Sequence, residues 1–201
     1  AGGTTYNSDV EPLLKFVGGP TANYITQGSL FGIRADIEVN MPGDTLTLNS
    51  DVTTEWDSPT GGSYFKLTDG TIDTSTYTLL VMSAFTQDGG TVVSTTGYLT
   101  TYFAVTQNAG SIDRLKLSGQ NQTGANNISQ TLGATIGLLE ASAGGADTKV
   151  LATDVSVEDF TVGAGVTVRG GGSGGGEQLK IDGNFTNSGG TVGNGSASAN
   201  M

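Results

Sequence analysis

The side chains that commonly perform acid–base and nucleophilic chemistry are scarce in this sequence. Its 201 residues include no histidine and no cysteine, which excludes Ser-His-Asp and Cys-His arrangements and zinc sites built on those ligands. Ser63 and Lys66 have the spacing Ser-x-x-Lys. That motif belongs at a helix start, whereas these two residues lie in an alternating, strand-like segment. The sequence therefore predicts a protein that is not an enzyme.

Carboxylates are the remaining candidates for chemistry, with 19 Asp and Glu residues in the chain. Two of them could converge as in glycosidases. Glu55 and Asp57 flank the single tryptophan, Trp56, and form either a sugar subsite or a solvated strand face. Aspartates near turns usually serve the turn itself, and no Asp-x-Asp-x-Asp-Gly calcium loop occurs. We expect no metal site and no cofactor.

Aromatic side chains could instead bind a glycan. A carbohydrate platform needs several exposed rings on one face, and at strand spacing such rings more often pack a core or cover its edge. Both interpretations stay open for the candidate glycan contacts, which are Trp56, Tyr64, Tyr98 and Tyr102.

The charge balance excludes two classes of partner. The net charge is −11, with 8 Lys and Arg residues, so nucleic acid and anionic membrane surfaces would be repelled. No apolar run approaches the roughly 20 residues that span a bilayer, so we expect no membrane insertion. The start at Ala1 without a methionine suits a processed product. An exterior of Thr, Ser, Asn and Gly is typical of extracellular and cell-surface proteins.

Alternating strands must position all of these residues. Residues 33–40 and 112–117 alternate apolar and polar side chains, as a strand with one wet face does. Residues 77–85 are apolar on both faces and indicate a central strand. Residues 127–142 fit helical and strand spacing alike, and their glycines favour a strand. We find no fixed repeat over residues 1–150.

These patterns predict an all-β protein with an antiparallel β-sandwich or jelly-roll domain over residues 1–160. A glycine-rich linker follows at 161–177, with the run Gly170-Gly171-Gly172-Ser173-Gly174-Gly175-Gly176. Residues 178–201 carry one further strand and a flexible C-terminus.

The tail strand presents Leu179, Ile181 and Phe185 on one face. A strand on a flexible tether can add to an open sheet edge. These three residues are thus the candidate strand-donation interface, in a neighbouring copy or in the same domain. The alternatives are an ordinary last strand after a long loop and an engineered glycine join.

Two resemblances concern the last 45 residues or so. Phe160-Thr161-Val162-Gly163-Ala164-Gly165-Val166-Thr167-Val168, followed by Asp182-Gly183-Asn184-Phe185-Thr186-Asn187, resembles the surface repeats of haemagglutinins and autotransporter passengers. Those repeats stack into parallel β-helices on bacterial surfaces. The tethered tail strand also resembles donor-strand-complemented pilus subunits. Both resemblances imply a surface protein.

We therefore expect an extracellular, non-enzymatic structural or adhesive subunit that pairs with copies of itself through β-strands, as a filament, matrix or surface layer. The alternatives are a virion decoration or fibre protein, and a carbohydrate-binding module whose partners are glycans.

Overall fold

A computed structural model describes residues 13–19, 23–25, 35–54, 64–119, 127–142, 147–171 and 177–193. The regular secondary structure of these residues consists of β-strands, so the expected all-β class is confirmed. Within these ranges we find no helix with the length and hydrophobicity to cross a membrane. Trp56, Glu55 and Asp57 lie outside the described residues.

In chain order the strands are β1 (Leu13–Val17), β2 (Asn23–Ile25), β3 (Asp36–Leu48), β4 (Val52–Thr53), β5 (Tyr64–Ser75), β6 (Thr78–Val81), β7 (Ala84–Gln87), β8 (Thr91–Ser94), β9 (Tyr98–Thr101), β10 (Val105–Gln107), β11 (Ser111–Leu117), β12 (Asn127–Gln130), β13 (Thr135–Ala141), β14 (Asp147–Leu151), β15 (Val155–Val162), β16 (Val166–Gly170), β17 (Leu179–Ile181), β18 (Phe185–Asn187) and β19 (Thr191–Gly193).

The strands stack in three parallel ladders, which we call faces A, B and C. Face A contains β1, β7, β10, β12, β14, β16, β19 and the first halves of β3 and β5. Face B contains β2, β8, β17, the second halves of β3 and β5, and the first halves of β11, β13 and β15. Face C contains β4, β6, β9, β18 and the second halves of β11, β13 and β15. The chain visits the faces in turn and builds a β-solenoid of about 6 turns.

The expectation of an antiparallel sandwich or jelly roll is wrong. Every strand pair among the described residues is parallel. Parallel neighbours need a long connection between them. In this chain the other two faces supply it, so no helix is required. Parallel stacking, which the sequence suggested only for the last 45 residues, extends across the described chain.

The core fills the interior between the three faces. Each face contributes a wholly apolar column of inward side chains that stack in register from turn to turn, beside other inward positions such as Leu67, and each such apolar side chain contributes about 1.5–3 kcal/mol on burial. All are at most 4% exposed. The columns are Ile37, Phe65, Phe85, Val105, Ile128 and Leu151 on face A, Leu46, Ile72, Val92, Ile112, Ile136 and Val157 on face B, and Val52, Leu79, Leu99, Leu115, Leu139 and Phe160 on face C.

A ladder of buried glutamines interrupts the apolar core beside face A. Gln87, Gln107 and Gln130 take consecutive inward positions and are 0%, 0% and 8% exposed. Gln107 Nε2 donates to Gln87 Oε1 at 3.1 Å, and Gln130 Nε2 donates to Gln107 Oε1 at 3.0 Å. The amides also donate to main-chain carbonyls at the corner, namely those of Gly90, Ser111, Gly110, Thr135 and Ser156. Each amide thereby links adjacent turns.

Local predictions had mixed outcomes. Residues 77–85 do not form one central strand: β6 and β7 lie on different faces with a bend at Met82 and Ser83. The strand interpretation of 127–142 is confirmed by β12 and β13. The predicted linker, 161–177, contains the end of β15 and all of β16. The predicted tail contains three strands, β17 to β19, so the expectation of one further strand is wrong. Residues 172–176, inside the glycine run, lie outside the described residues.

Among the described residues, one ion pair lies inside the solenoid. Lys149 and Asp147 have fully buried side chains and contact each other through Lys149 Nζ and Asp147 Oδ2. The ammonium also donates to the carbonyl of Gly119. Burial lowers the pKa of Lys149 from its ordinary 10.5, while the hydrogen bond and the charge of Asp147 oppose that shift. The desolvation of the ammonium outweighs its attraction to the carboxylate.

We expect the double variant Asp147→Val with Lys149→Met to have a free energy of unfolding equal to that of the parent or up to about 2 kcal/mol higher. The reason is that apolar replacement removes the desolvation costs of both charges. Above the folded pKa of Lys149 and below 10.5, the unfolded parent binds more protons than the folded parent. The parent's free energy of unfolding therefore rises with pH between these two pKa values. The difference in free energy of unfolding between the parent and the double variant should become smaller over the same range. Urea unfolding between neutral pH and pH 10 measures this. The control, Lys149→Met alone, leaves the buried carboxylate of Asp147 without its lysine and should be the least stable protein. Equal stability of the single and double variants would contradict this account.

Candidate functional site

The last described turn of the solenoid forms an edge, which we call the C-terminal edge, made of β17, β18 and β19. Strands β17 and β18 pair with β15, and β19 pairs with β16. Among the described residues, no strand pairs with the opposite side of these three. Unpaired N–H and C=O groups on a sheet edge are a template for another strand.

The inward side chains of this edge are apolar and only partly covered. Leu179, Ile181 and Val192 are half-buried and pack against the core. Phe185 is 41% exposed and stacks on Phe160, with ring centroids 5.6 Å apart and planes inclined by 8°. Phe160 itself is 1% exposed. One more turn placed on this edge would bury Phe185 as Phe185 buries Phe160.

The other end of the solenoid, formed by β1 and β2, is the N-terminal edge. Leu14 and Phe16 of β1 lie opposite the buried Ile37 and Val39 of β3. Phe16 packs against the core and Leu14 is 38% exposed. Beyond β1, too, no described strand is paired. Both ends therefore present parallel strands with apolar side chains turned towards the solenoid axis.

The structure brings together the residues proposed for strand donation. Leu179, Ile181 and Phe185 share the C-terminal edge, where they lie against Val155, Val157 and Phe160 of the same chain. Val192, Leu14 and Phe16 also line the two edges and were not among the predicted site residues. The alternation Leu14-Lys15-Phe16 was the available signal for β1.

The proposed glycan-contact tyrosines do not form one platform. Tyr64 begins the face A part of β5, Tyr98 lies on face C, and Tyr102 follows β9 at the corner. The face of the Tyr98 ring is covered by the Arg114 guanidinium, 4.4 Å from the ring centroid. Arg114 Nη2 also donates to the Tyr98 hydroxyl at 2.6 Å. Trp56 lies outside the described residues.

Many carboxylates bind the main chain of an adjacent turn. Asp159 Oδ1 accepts hydrogen bonds from Asn184 N at 2.7 Å and Asn184 Nδ2 at 3.1 Å. Asp51 Oδ1 accepts one from Thr78 N at 2.8 Å. The same role falls to Asp36, Asp44, Asp113 and Asp154, which accept from the amides of Tyr64, Gly19, Ser94 and Gln178. These acids stabilise the stacking of turns.

Three carboxylates on the outer surface of the described residues pair with lysines of an adjacent turn, in the pairs Lys15–Glu38, Lys66–Asp88 and Lys116–Glu140. Lys66 Nζ lies 2.7 Å from Asp88 Oδ2, and Lys116 Nζ lies 2.7 Å from Glu140 Oε1. Hydrogen bonds from Lys66 and Asn108 lower the pKa of Asp88. Within the described ranges no group of three or more Asp or Glu residues is arranged to hold a metal ion. No family model, no curated protein and no solved structure matches this chain.

Proposed function

We propose that this protein is a non-enzymatic structural subunit whose copies join end to end, through parallel β-strand pairing, into a filament, matrix or surface layer outside the cell. The supporting observation is the C-terminal edge, where no described strand pairs with the outer side of β17 to β19 and the apolar side chains are half-covered, Phe185 above all. Closing this edge would satisfy main-chain hydrogen bonds and bury apolar surface at the same time.

The two ends are compatible in direction and in face. Strands β1 and β19 both belong to face A, and β2 and β17 both belong to face B. A second copy placed with β1 on β19 would continue the face A ladder with the polarity that it has within one chain. A contact of this heterologous kind does not close on itself and produces filaments.

The exterior supports an extracellular setting. Charged residues make up 13% of the chain, and the absence of cysteine leaves nothing that depends on a redox compartment. Stability comes instead from stacked side chains and from carboxylates that bind adjacent turns.

We expect Phe185→Glu to weaken self-association at least tenfold, because burying Phe185 contributes about 1.5–3 kcal/mol and a glutamate there would be desolvated. Sedimentation velocity over a concentration series measures the effect, and negative-stain microscopy identifies filaments or sheets.

The matched control is Leu132→Glu, which changes a 103% exposed leucine at a corner away from both edges and should leave association unchanged. A parent that stays monomeric at its highest soluble concentration would contradict the proposal. Stronger association after deletion of residues 194–201 would mean that these residues cover the C-terminal edge in the parent and that the edge is not its interface.

A further inference from the structure

A groove runs along the outside of face B towards the corner with face C. It has a volume of about 560 Å³. It crosses four consecutive turns, which places its ends about 14 Å apart, since neighbouring strands are about 4.8 Å apart. Its lining residues are Ser111, Ile112, Asp113, Thr135, Ile136, Gly137, Ser156, Val157, Glu158, Asp182 and Gly183.

Two glycines create the recess. Gly137 lies between Asp113 and Glu158 in the stack of outward positions, and a Cβ at Gly137 would come within 2.7 Å of the Asp113 carbonyl oxygen. A Cβ at Gly183 would come within 2.8 Å of the Glu158 carbonyl oxygen. Since any side chain would displace the neighbouring turn, the packing of the solenoid keeps this recess open.

The walls of the groove are polar and regularly spaced. Ser111, Thr135 and Ser156 follow one another on adjacent turns, so their hydroxyls form a row that can donate and accept hydrogen bonds. A row of carboxylates stands beside it. Asp113 accepts from Ser94 N through Oδ2, and Asp182 pairs with Lys180. The side chain of Glu158 is exposed and forms no hydrogen bond or ion pair among the described residues, while its main-chain carbonyl accepts from Gly183 N.

We propose that this groove binds a neutral oligosaccharide lying along the solenoid axis. Sugar hydroxyls are donors that match the carboxylates and also match the row of serine and threonine hydroxyls. The floor is the main chain of Ile112, Ile136 and Val157, whose side chains are buried in the core, so recognition depends on the rows of hydroxyls and carboxylates. The acidic groove in a chain of net charge −11 repels anionic sugars. This site is distinct from the tyrosines considered above and from the C-terminal edge.

Isothermal titration of the full chain tests the proposal, with cellohexaose, xylohexaose and mannohexaose as neutral probes and hexagalacturonate as the anionic probe. At least one neutral probe should bind, and hexagalacturonate should not. Glu158→Gln keeps the shape of the side chain, removes its charge, and should weaken binding about tenfold.

The matched control is Glu140→Gln, which removes a carboxylate paired with Lys116 outside the groove and should leave the affinity unchanged. Thr135→Val removes one hydroxyl from the row and should weaken binding as well. The proposal is overturned if no neutral probe binds, if Glu158→Gln and Glu140→Gln behave alike, or if hexagalacturonate binds as well as the neutral probes.

Discussion

Replacing Gln107 by leucine is expected to lower the free energy of unfolding by about 3 kcal/mol. The substitution removes the donor to Gln87 Oε1 and to the Thr135 carbonyl, and each buried group left unpaired costs about 1–3 kcal/mol. The shape of leucine fits this column, since Leu67 holds the equivalent position one turn above Gln87. The cost therefore comes from the lost amide, and urea unfolding followed by circular dichroism measures it.

A control variant and a combined variant distinguish the loss of the ladder's amide hydrogen bonds from the effect of replacing any glutamine by leucine. Gln178→Leu changes an exposed glutamine and should alter stability by no more than about 0.5 kcal/mol. Leucine at all three of Gln87, Gln107 and Gln130 should cost less than the sum of the single changes, because partners disappear together. If the costs of the single changes add up in the triple variant, the amides act independently. If Gln107→Leu leaves the free energy of unfolding unchanged, the amides contribute nothing to stability.

The sequence predicts the strands well because period-two alternation depends only on burial of one side. The inward Ile37 and Val39 of β3 and the inward Ile112 of β11 are buried as their spacing predicted. Alternation does not show whether neighbouring strands pair in parallel or antiparallel. The same pattern satisfies an antiparallel sandwich and a parallel solenoid, which is why the predicted fold class was wrong while the strands were right.

The interval between repeats distinguishes the two folds. Phe65, Phe85 and Val105 stack on one another at intervals of 20 residues, so part of the chain is regular although no fixed period extends through residues 1–150. The repeat is hard to see because corners vary in length outside this region. Ile37 to Phe65 spans 28 residues, and Ile112 to Ile136 spans 24.

The candidate site was only partly predictable. Alternation placed Leu179, Ile181 and Phe185 on one face of a single strand, whereas the structure divides them between β17 on face B and β18 on face C. The glutamine ladder was missed because glutamine is usually exposed, and only the interval from Gln87 to Gln107 identifies it. The groove on face B depends on Gly137 and Gly183, whose neighbours come from other turns.

Alanine at Gly110 is expected to destabilise the fold by about 3–5 kcal/mol. Gly70, Gly90 and Gly110 stand at the corner between faces A and B, at intervals of 20 residues, and all have positive φ. A Cβ at Gly110 would come within 2.1 Å of the Gly90 carbonyl oxygen and within 2.7 Å of Gln87 Nε2. The left-handed conformation costs alanine about 1–2 kcal/mol. Overlap with the adjacent turn adds about 1–3 kcal/mol, and the displaced Gln87 amide weakens the ladder.

Gly133 is the matched control, because it occupies the corner of the next turn with a φ of 96° but has nothing within 4 Å of its Cβ position. Gly133→Ala therefore carries only the backbone cost, about 1 kcal/mol after the gain from a less flexible unfolded chain. The difference between the two variants isolates the close approach of successive turns. Equal urea midpoints for Gly110→Ala and Gly133→Ala would mean that the turns are not stacked at the distance that the glutamine ladder requires.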